Sequence, residues 1–435
     1  MEQPSHHHYC FGVIQLFVRF VLDAPTSLRG ASGALSLVQA LLFPHLTSAP
    51  SANCGRLWLL RIGLYELSRQ KEIADDWLWI VDHTVQIGTV KCLLVVGCRL
   101  SQWHDQRRPL QLQDLSLLAL EPVQESDAKL VEQQLKDVIP STGVPRAILS
   151  DGASELKRAI ENFCNDHPQT ANLYDIKHKA ALILKRVLAG DDRWSQFLKQ
   201  VGQVRKQVLQ TTLAFLLPPA AKEKARYMNL DAFVGWAQKV RAYLDAPVSP
   251  AGMTLEIGRL NLTFNWLRQY DLALAEWAAV MRVIATTLQY VRNEGYHGEA
   301  ANELRKLLAP LSPDALSRRV ADELVQVIQE QSAHAQPAER LIGSSECIES
   351  LIGKGKRLEG QQSRGGFTKM VLGLGAAVVN PTKEFIQEAL EKIRTHDVLK
   401  WSNQKLGLSL QAQRRRALPT SKEQKRHKKL LTHAA

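Results

Sequence analysis

The chain has 435 residues, 45% of them hydrophobic, so it is long enough for two or three domains with buried cores. Its whole net charge of +12 comes from residues 351–435, where 18 Lys and Arg face 6 Asp and Glu. This asymmetry favours an anionic polymer as partner, with a solubilising tail as the alternative. The six cysteines show no zinc-ligand spacing, and the apolar segment 10–22 is too short for a membrane span, so neither a cysteine zinc site nor a membrane protein is expected.

Residues 1 to about 75 carry few signals beyond a helical pattern over 57–72. Apolar, β-branched runs then predict three strands, at 77–82, 90–100 and 115–123. A helix is predicted over 127–138, capped by Ser126 and stopped by Pro140. A fourth strand over 146–150, a helix over 154–164, a short strand over 172–176 and a helix over 180–188 follow.

The order β-β-β-α-β-α-β-α resembles the ribonuclease-H-like fold, an α/β class with a mixed sheet flanked by helices. In that fold the first and fourth strands are neighbours. After these elements the sequence shows no further strand pattern, and apolar residues at helical spacing predict an all-α insertion. The tryptophans of the insertion are expected in its core, with base stacking as the alternative. The predicted division is 1–75 helical, 76–189 first part of the core, 190–335 insertion, 336–410 completion of the core and 411–435 basic tail.

Two aspartates end predicted strands. Asp82 follows the apolar run 77–81, and Asp151 follows 146–150. Neighbouring strands would bring the two carboxylates together, which is costly unless a divalent cation lies between them. A strand-terminal Asp is also a common turn or cap residue, so the pair needs a third acid to indicate a metal site.

Glu349 and Glu346 compete for that third position, in a segment where Ser344 or Ser345 can cap a helix. A glutamate in the first turn also complements the helix dipole, an alternative that suits Glu346 better.

A further pair, Asp175 and His178, follows the fifth predicted strand and could orient a phosphate, with a surface salt bridge as the alternative.

These residues resemble the motifs of DDE-type transposases, in particular bacterial insertion-sequence transposases related to Mutator elements. The matching segments are IVDHT with Asp82, ILSDG with Asp151, the D-x-x-H of Asp175 and His178, and ECIESL with Glu349. A helical insertion precedes the last of them, as it does in the family. The Y-x-x-R-x-x-x-E motif of another transposase group does not fit the spacing of Tyr290, Arg292 and Glu294.

The resemblance covers roughly residues 75 to 375 and implies a catalytic role for Asp82, Asp151, Glu349, Asp175 and His178. It implies two Mg²⁺ ions, or Mn²⁺, held by Asp82, Asp151 and Glu349, with DNA as partner, no membrane, and a homo-oligomer assembled on DNA. It also implies a cytoplasmic, nucleoid-associated bacterial protein. Such transposases carry an end-recognition domain before the core, and only about 75 residues precede the predicted core here, so a truncated N-terminus, or end recognition elsewhere in the chain, is expected.

Basic residues follow the third acid. The phosphate contacts expected there are Lys354, Lys356, Arg357, Arg364 and Lys369, with a solvated basic face as the alternative. A DNA-binding remnant without activity and a structure-specific nuclease of the same fold both stay open as functions.

Overall fold

The computed structural model divides the chain into two compact units, Met1–Leu173 with Ser345–Ala435, and Tyr174–Ser344. The residues that it describes are 3–4, 7–42, 48–85, 90–106, 108–220, 229–248, 256–361, 368–408 and 410–418. Within those residues, no helix is both long enough and apolar enough to cross a membrane.

The first unit begins with three helices, α1 (Phe11–Leu22), α2 (Leu28–Leu42) and α3 (Ala52–Ser68). Helix α3 is the one predicted over 57–72, and it begins earlier because the Ser51 side chain accepts a hydrogen bond from the Cys54 N–H as an N-cap. Helices α1 and α2 lie in the region predicted to be helical as a whole, but neither helix was predicted individually.

A five-stranded sheet follows, with strand order β3-β2-β1-β4-β5. Its strands are β1 (Trp77–Val85), β2 (Lys91–Arg99), β3 (Ser116–Val123), β4 (Ala147–Ser150) and β5 (Ala171–Tyr174). Strands β1, β2 and β3 pair antiparallel, whereas β1 and β4 pair parallel. The predicted ribonuclease-H-like sheet, with its first and fourth strands adjacent, is therefore confirmed.

Four helices lie between the strands in sequence: α4 (Leu100–Gln106), α5 (Ala128–Lys136), α6 (Ile139–Thr142) and α7 (Ser154–Asp166). Asp127, and not Ser126, caps α5, because its carboxylate accepts the N–H of Leu130. Helices α5 and α7 cover one face of the sheet. The core on that face consists mainly of Trp79, Val81, Ile148, Val131, Leu135, Ile160 and Phe163.

The second unit is helical in all of its described elements, apart from an isolated bridge between Tyr296 and Leu341. The helices are α8 (Ile176–Ala189), α9 (Asp192–Val208), α10 (Leu230–Asp245), α11 (Ile257–Phe264), α12 (Asp271–Glu294), α13 (Ala300–Leu308) and α14 (Ala315–Ser332). The predicted all-α insertion is confirmed. The span 190–335 lies inside this unit, which also includes α8, and the five-part domain division stays a prediction.

Aromatic side chains form the core of the second unit. Trp277 is fully buried, with its ring 5.1 Å from that of Trp194 and 5.3 Å from that of Phe197. These edge-to-face distances are typical of core aromatics, as predicted for Trp277.

The chain returns to the first unit with α15 (Glu346–Gly360), α16 (Gly373–Val378), α17 (Lys383–Lys392), α18 (Thr395–Lys405) and α19 (Leu410–Ala417). Helix α16 packs closely against α3. A Cβ atom at Gly63 would lie 1.8 Å from the carbonyl oxygen of Leu372, and one at Gly375 would lie 2.5 Å from the carbonyl oxygen of Gly63. Only glycine at both positions permits this approach.

Candidate functional site

Asp82 and Asp151 lie side by side on two neighbouring interior strands of the sheet. The prediction that Asp82 ends its strand is wrong, because β1 continues to Val85 in its pairing with β2, whereas Asp151 directly follows β4. Val81 of β1 and Ser150 of β4 are partners in the parallel register, and each aspartate is the next residue along its chain. Because neighbouring strands lie about 5 Å apart, the register predicts a similar separation of the two backbones at the aspartates.

Both aspartates belong to the sheet face opposite α5 and α7. Val81 points into the core beneath α5 and α7, and side chains alternate along a strand, so Asp82 points to the other face. The same alternation places Asp151, one residue after Ser150, on the face of Asp82. Helix α15 contacts β1 and contributes no residue to the core under α5 and α7, so it packs on the face of the aspartates.

Short local hydrogen bonds hold each carboxylate. The Asp82 Oδ1 atom accepts the N–H of His83 at 2.7 Å, and the Asp151 Oδ1 atom accepts the N–H of Ala153 at 2.9 Å. Gly152, between the latter two residues, has a φ of 73°, which favours glycine. Both aspartates are half-buried, so their carboxylates keep access to solvent.

Glu349 lies in the first turn of α15, whose N-cap position is Ser345. Ile348 and Leu351 are fully buried beneath the helix, which fixes its rotation, and Glu349 is half-buried. Glu346 is half-buried in the same turn, so burial does not distinguish the two glutamates. The choice of Glu349 as third acid stays a prediction.

Asp175 and His178 belong to the second unit, at the start of α8. Asp175 is fully buried and caps the helix, accepting the backbone N–H of His178 at 3.1 Å. The His178 Nδ1 atom lies 2.6 Å from the same carboxylate, so the pair is one hydrogen-bonded group. The prediction that strand five continues to Ile176 is wrong: β5 ends at Tyr174, and α8 begins at Ile176 because the Asp175 cap starts it there.

Three of the predicted phosphate contacts lie on α15. Lys356 is exposed on the side of Glu349, two turns further on, about 10 Å along the axis. Lys354 is half-buried, and Arg357 donates to the carbonyl of Val21 at 3.3 Å, so part of its guanidinium packs against the protein.

The two remaining contacts follow α15. Lys369 is half-buried, and its pKa is lowered first by burial and then by Arg56. Arg364 lies outside the described residues.

One buried acid was missed in the sequence. Glu359, in the last turn of α15, is 8% exposed, and burial raises its pKa to about 7. Its Oε2 atom has no hydrogen-bond partner among the described residues, and it lines a cavity of about 10 Å³ with Thr84 and Leu374. A cavity of that size holds about one water molecule. Nothing in the sequence separates Glu359 from an exposed helical glutamate.

Comparison with known proteins gives a weak structural likeness. The sequence matches no protein-family model and no curated protein. Among solved structures, the chain is similar to that of a Drosophila P element transposase strand transfer complex, with a TM-score of 0.43 and 11% sequence identity. The match covers 88% of this chain and 94% of the other. At that level the likeness assigns no residue and no activity.

Proposed function

We propose that this protein is a metal-dependent DNA transposase, which cleaves the ends of a mobile element and joins the 3′-hydroxyls to target DNA. The observation that carries the proposal is the placement of Asp82 and Asp151 side by side on the sheet face against which α15, the helix of Glu349, packs. Three acids on one face of a ribonuclease-H-like sheet suit phosphoryl transfer on nucleic acid.

The donor set fits a hard divalent cation. Asp82, Asp151 and Glu349 offer only carboxylate oxygens, the donors that Mg²⁺ and Mn²⁺ prefer. A pair of bound ions would activate the attacking oxygen and stabilise the leaving oxygen of an in-line displacement. The chain's own contribution is orientation: the register of β1 and β4 fixes two carboxylates, and the packing of α15 fixes the third.

The partner proposed is DNA, bound through its phosphates. Lys356 is exposed on the same side of α15 as Glu349, so it would contact the backbone of a strand held at the three acids. Lys354, Arg357, Lys369 and Arg364 are proposed as further contacts. The assignment to bacterial Mutator-like elements, the nucleoid location and assembly as a homo-oligomer on DNA belong to the same proposal and rest on the sequence motifs alone.

Asp175 and His178 are proposed to serve the reaction as one group. The 2.6 Å contact fixes the imidazole ring, so His178 would present its other nitrogen in a constant direction to a phosphate or the attacking group. The imidazole without Asp175 would keep its chemistry and lose its orientation.

The proposal is tested with a plasmid that carries the DNA flanking the gene. Purified protein should nick it in Mg²⁺ and not in EDTA, and Asp82→Ala, Asp151→Ala and Glu349→Ala should each abolish nicking while DNA binding survives. Glu346→Ala is the matched control in the first turn of α15 and should retain nicking. Loss in Glu346→Ala with retention in Glu349→Ala would reassign the third acid.

The same assay separates the alternative functions. DNA binding without Mg²⁺-dependent nicking by the wild-type protein would reject the enzyme and leave a binding-only protein. Cleavage of branched DNA without transfer of a 3′-hydroxyl oligonucleotide would indicate a structure-specific nuclease.

A further inference from the structure

An ion pair joins the start of β2 to the start of α7, on the sheet face opposite Asp82. The Nζ atom of Lys91 lies 2.6 Å from the Oε1 atom of Glu155, and both side chains are about one-third exposed, at 34% and 32%. Lys91 is the first residue of β2, and Glu155 is in the first turn of α7. Both residues belong to the first unit.

The Lys91–Glu155 pair spans β1, the strand that contains Asp82. Lys91 pairs with Val85 in the antiparallel register, so its side chain lies on the face of Val81 and His83, beneath α7. To reach α7 from β2, it passes the end of β1 beside His83.

Helix α7, which follows Asp151, begins without a side-chain cap. Ala153 occupies the N-cap position, and its N–H donates to the Asp151 carboxylate. The glutamate held by Lys91 is only four residues beyond Asp151, in the first turn of the uncapped helix. A shift of that turn would move the Asp151 carboxylate relative to Asp82.

We propose that Lys91 and Glu155 are positioning residues that hold the Asp151 loop at the separation from Asp82 that a divalent cation requires. The inference rests on the proposed function. Groups that orient the ligands of a metal typically change its affinity or the activity by about 10- to 100-fold when they are removed. We expect that range for the loss of either partner.

The direction of the change in Mg²⁺ affinity distinguishes a positioning role from a purely electrostatic one. A lysine near a metal site repels the cation, so its loss through the field alone would strengthen Mg²⁺ binding, whereas loss of a glutamate would weaken it. If the pair acts by holding the loop, Lys91→Met and Glu155→Gln both weaken binding. Opposite signs for the two variants would overturn the proposal.

The experiment measures metal binding in two ways. The first readout is Mn²⁺ binding to the full-length protein, from the electron paramagnetic resonance signal of free Mn²⁺, and the second is the Mg²⁺ concentration for half-maximal plasmid nicking. Lys91→Met and Glu155→Gln should each raise the Mn²⁺ dissociation constant and the half-maximal Mg²⁺ concentration about 10-fold or more. The charge-reversed double variant Lys91→Glu, Glu155→Lys should recover most of the loss, which a general defect in folding would not do.

The chain offers a matched control at the other end of α7. Lys136 on α5 lies 2.7 Å from Asp166 at the last residue of α7, and its side chain is 33% exposed. Lys136→Met breaks this bridge to α7 and a second one to Glu132 on α5, both far from Asp151. It should change the Mn²⁺ and Mg²⁺ values less than about twofold. The melting temperature of Lys136→Met also shows how far the loss of surface bridges of this kind lowers stability.

The outcomes separate this proposal from the proposed function. A wild-type protein that neither binds Mn²⁺ nor nicks DNA would reject the metal site itself. A wild-type protein that does both, with Lys91→Met and Glu155→Gln no different from Lys136→Met, would reject the positioning role alone. If Lys91→Met fails to fold, Lys91→Gln, which also removes the positive charge, takes its place in the comparison of signs.

Discussion

A buried ion pair between α3 and the segment that follows it should dominate the response of the first unit to mutation. Glu66 is fully buried, and its Oε1 atom accepts the Lys71 ammonium at 2.9 Å and the N–H of Leu117 in β3 at 3.2 Å. Arg69 contacts the other oxygen. Burial lowers the pKa of Lys71 to about 8, against the opposing effect of Glu66. Glu66 therefore binds the buried Lys71 ammonium and also anchors β3, an edge strand of the sheet.

Glu66→Gln should destabilise the first unit by about 3–5 kcal/mol at pH 7, because it leaves the Lys71 charge buried without its anion while the acceptor for Leu117 remains. Lys71→Met should cost less, about 1–3 kcal/mol, because Glu66 keeps Arg69 and Leu117 as partners. The double variant should lie within about 2 kcal/mol of wild type, since it removes both charges.

The measurement is the free energy of opening of peptides from β1, β2 and β3, by hydrogen exchange in a urea series. A local measurement is needed because a protein of two units need not unfold in one transition. A cost for Glu66→Gln below about 1 kcal/mol, or a double variant as unstable as the sum of the single variants, would refute the reasoning.

The pH dependence gives a second check. Lys71 has a pKa of about 8 when folded and about 10.5 when unfolded, so between these values the unfolded state binds more protons. The free energy of unfolding should therefore rise from pH 8 to 10.5, by at most about 3 kcal/mol, and Lys71→Met should lack this rise. Equal slopes in the two proteins would contradict the assignment.

Three further predictions follow from single contacts. The pKa of Glu359 is about 7 when folded and about 4.5 when unfolded, so the free energy of unfolding falls as pH rises through that window. Glu359→Gln should be more stable than wild type by about 1–3 kcal/mol at pH 8, measured by hydrogen exchange of the first unit in urea at pH 5 and 8. Gly63→Ala should cost about 3 kcal/mol or more, because its Cβ meets the Leu372 carbonyl, whereas Gly353→Ala, which meets nothing within 4 Å in α15, should gain about 0.5–1 kcal/mol by the same assay. Asp175→Ala should cost at least about 1 kcal/mol more than Asp175→Asn, which keeps the cap, when hydrogen exchange of α8 is measured.

The sheet could be predicted because its pattern is local. The strands β1 and β2 are apolar runs in the sequence, and the resemblance to the ribonuclease-H-like order placed β1 beside β4. The bounds of helices α1 and α2 could not be predicted. Helix α2 exposes Leu37 and Leu41 and has five small residues in succession, 30–34, in its first two turns, so its apolar residues follow no single stripe.

The candidate site, too, has residues that could be found from the sequence and residues that could not. Asp82 and Asp151 could be found because each follows an apolar run that forms a strand. The spacing of Asp175 and His178, by contrast, fits a functional pair and a helix cap equally. A helix cap and the residue three positions later have the spacing of a capping interaction, which is the contact that the structure contains. The Lys91–Glu155 pair joins residues 64 positions apart, and a buried acid such as Glu359 looks like any other helical glutamate.

The second unit interrupts the first, and its two ends are joined to each other. The N–H of Ile176 donates to the carbonyl of Gly343 at 3.0 Å, and the hydroxyl of Tyr296 donates to the carbonyl of Tyr174 at 2.8 Å. During synthesis, the strands of Asp82 and Asp151 leave the ribosome long before α15, which follows only after the 171 residues from Tyr174 to Ser344 have been made. Because the second unit closes its own ends, its folding would bring the two parts of the first unit's chain together, so that completing the first unit requires mainly the docking of its C-terminal helices.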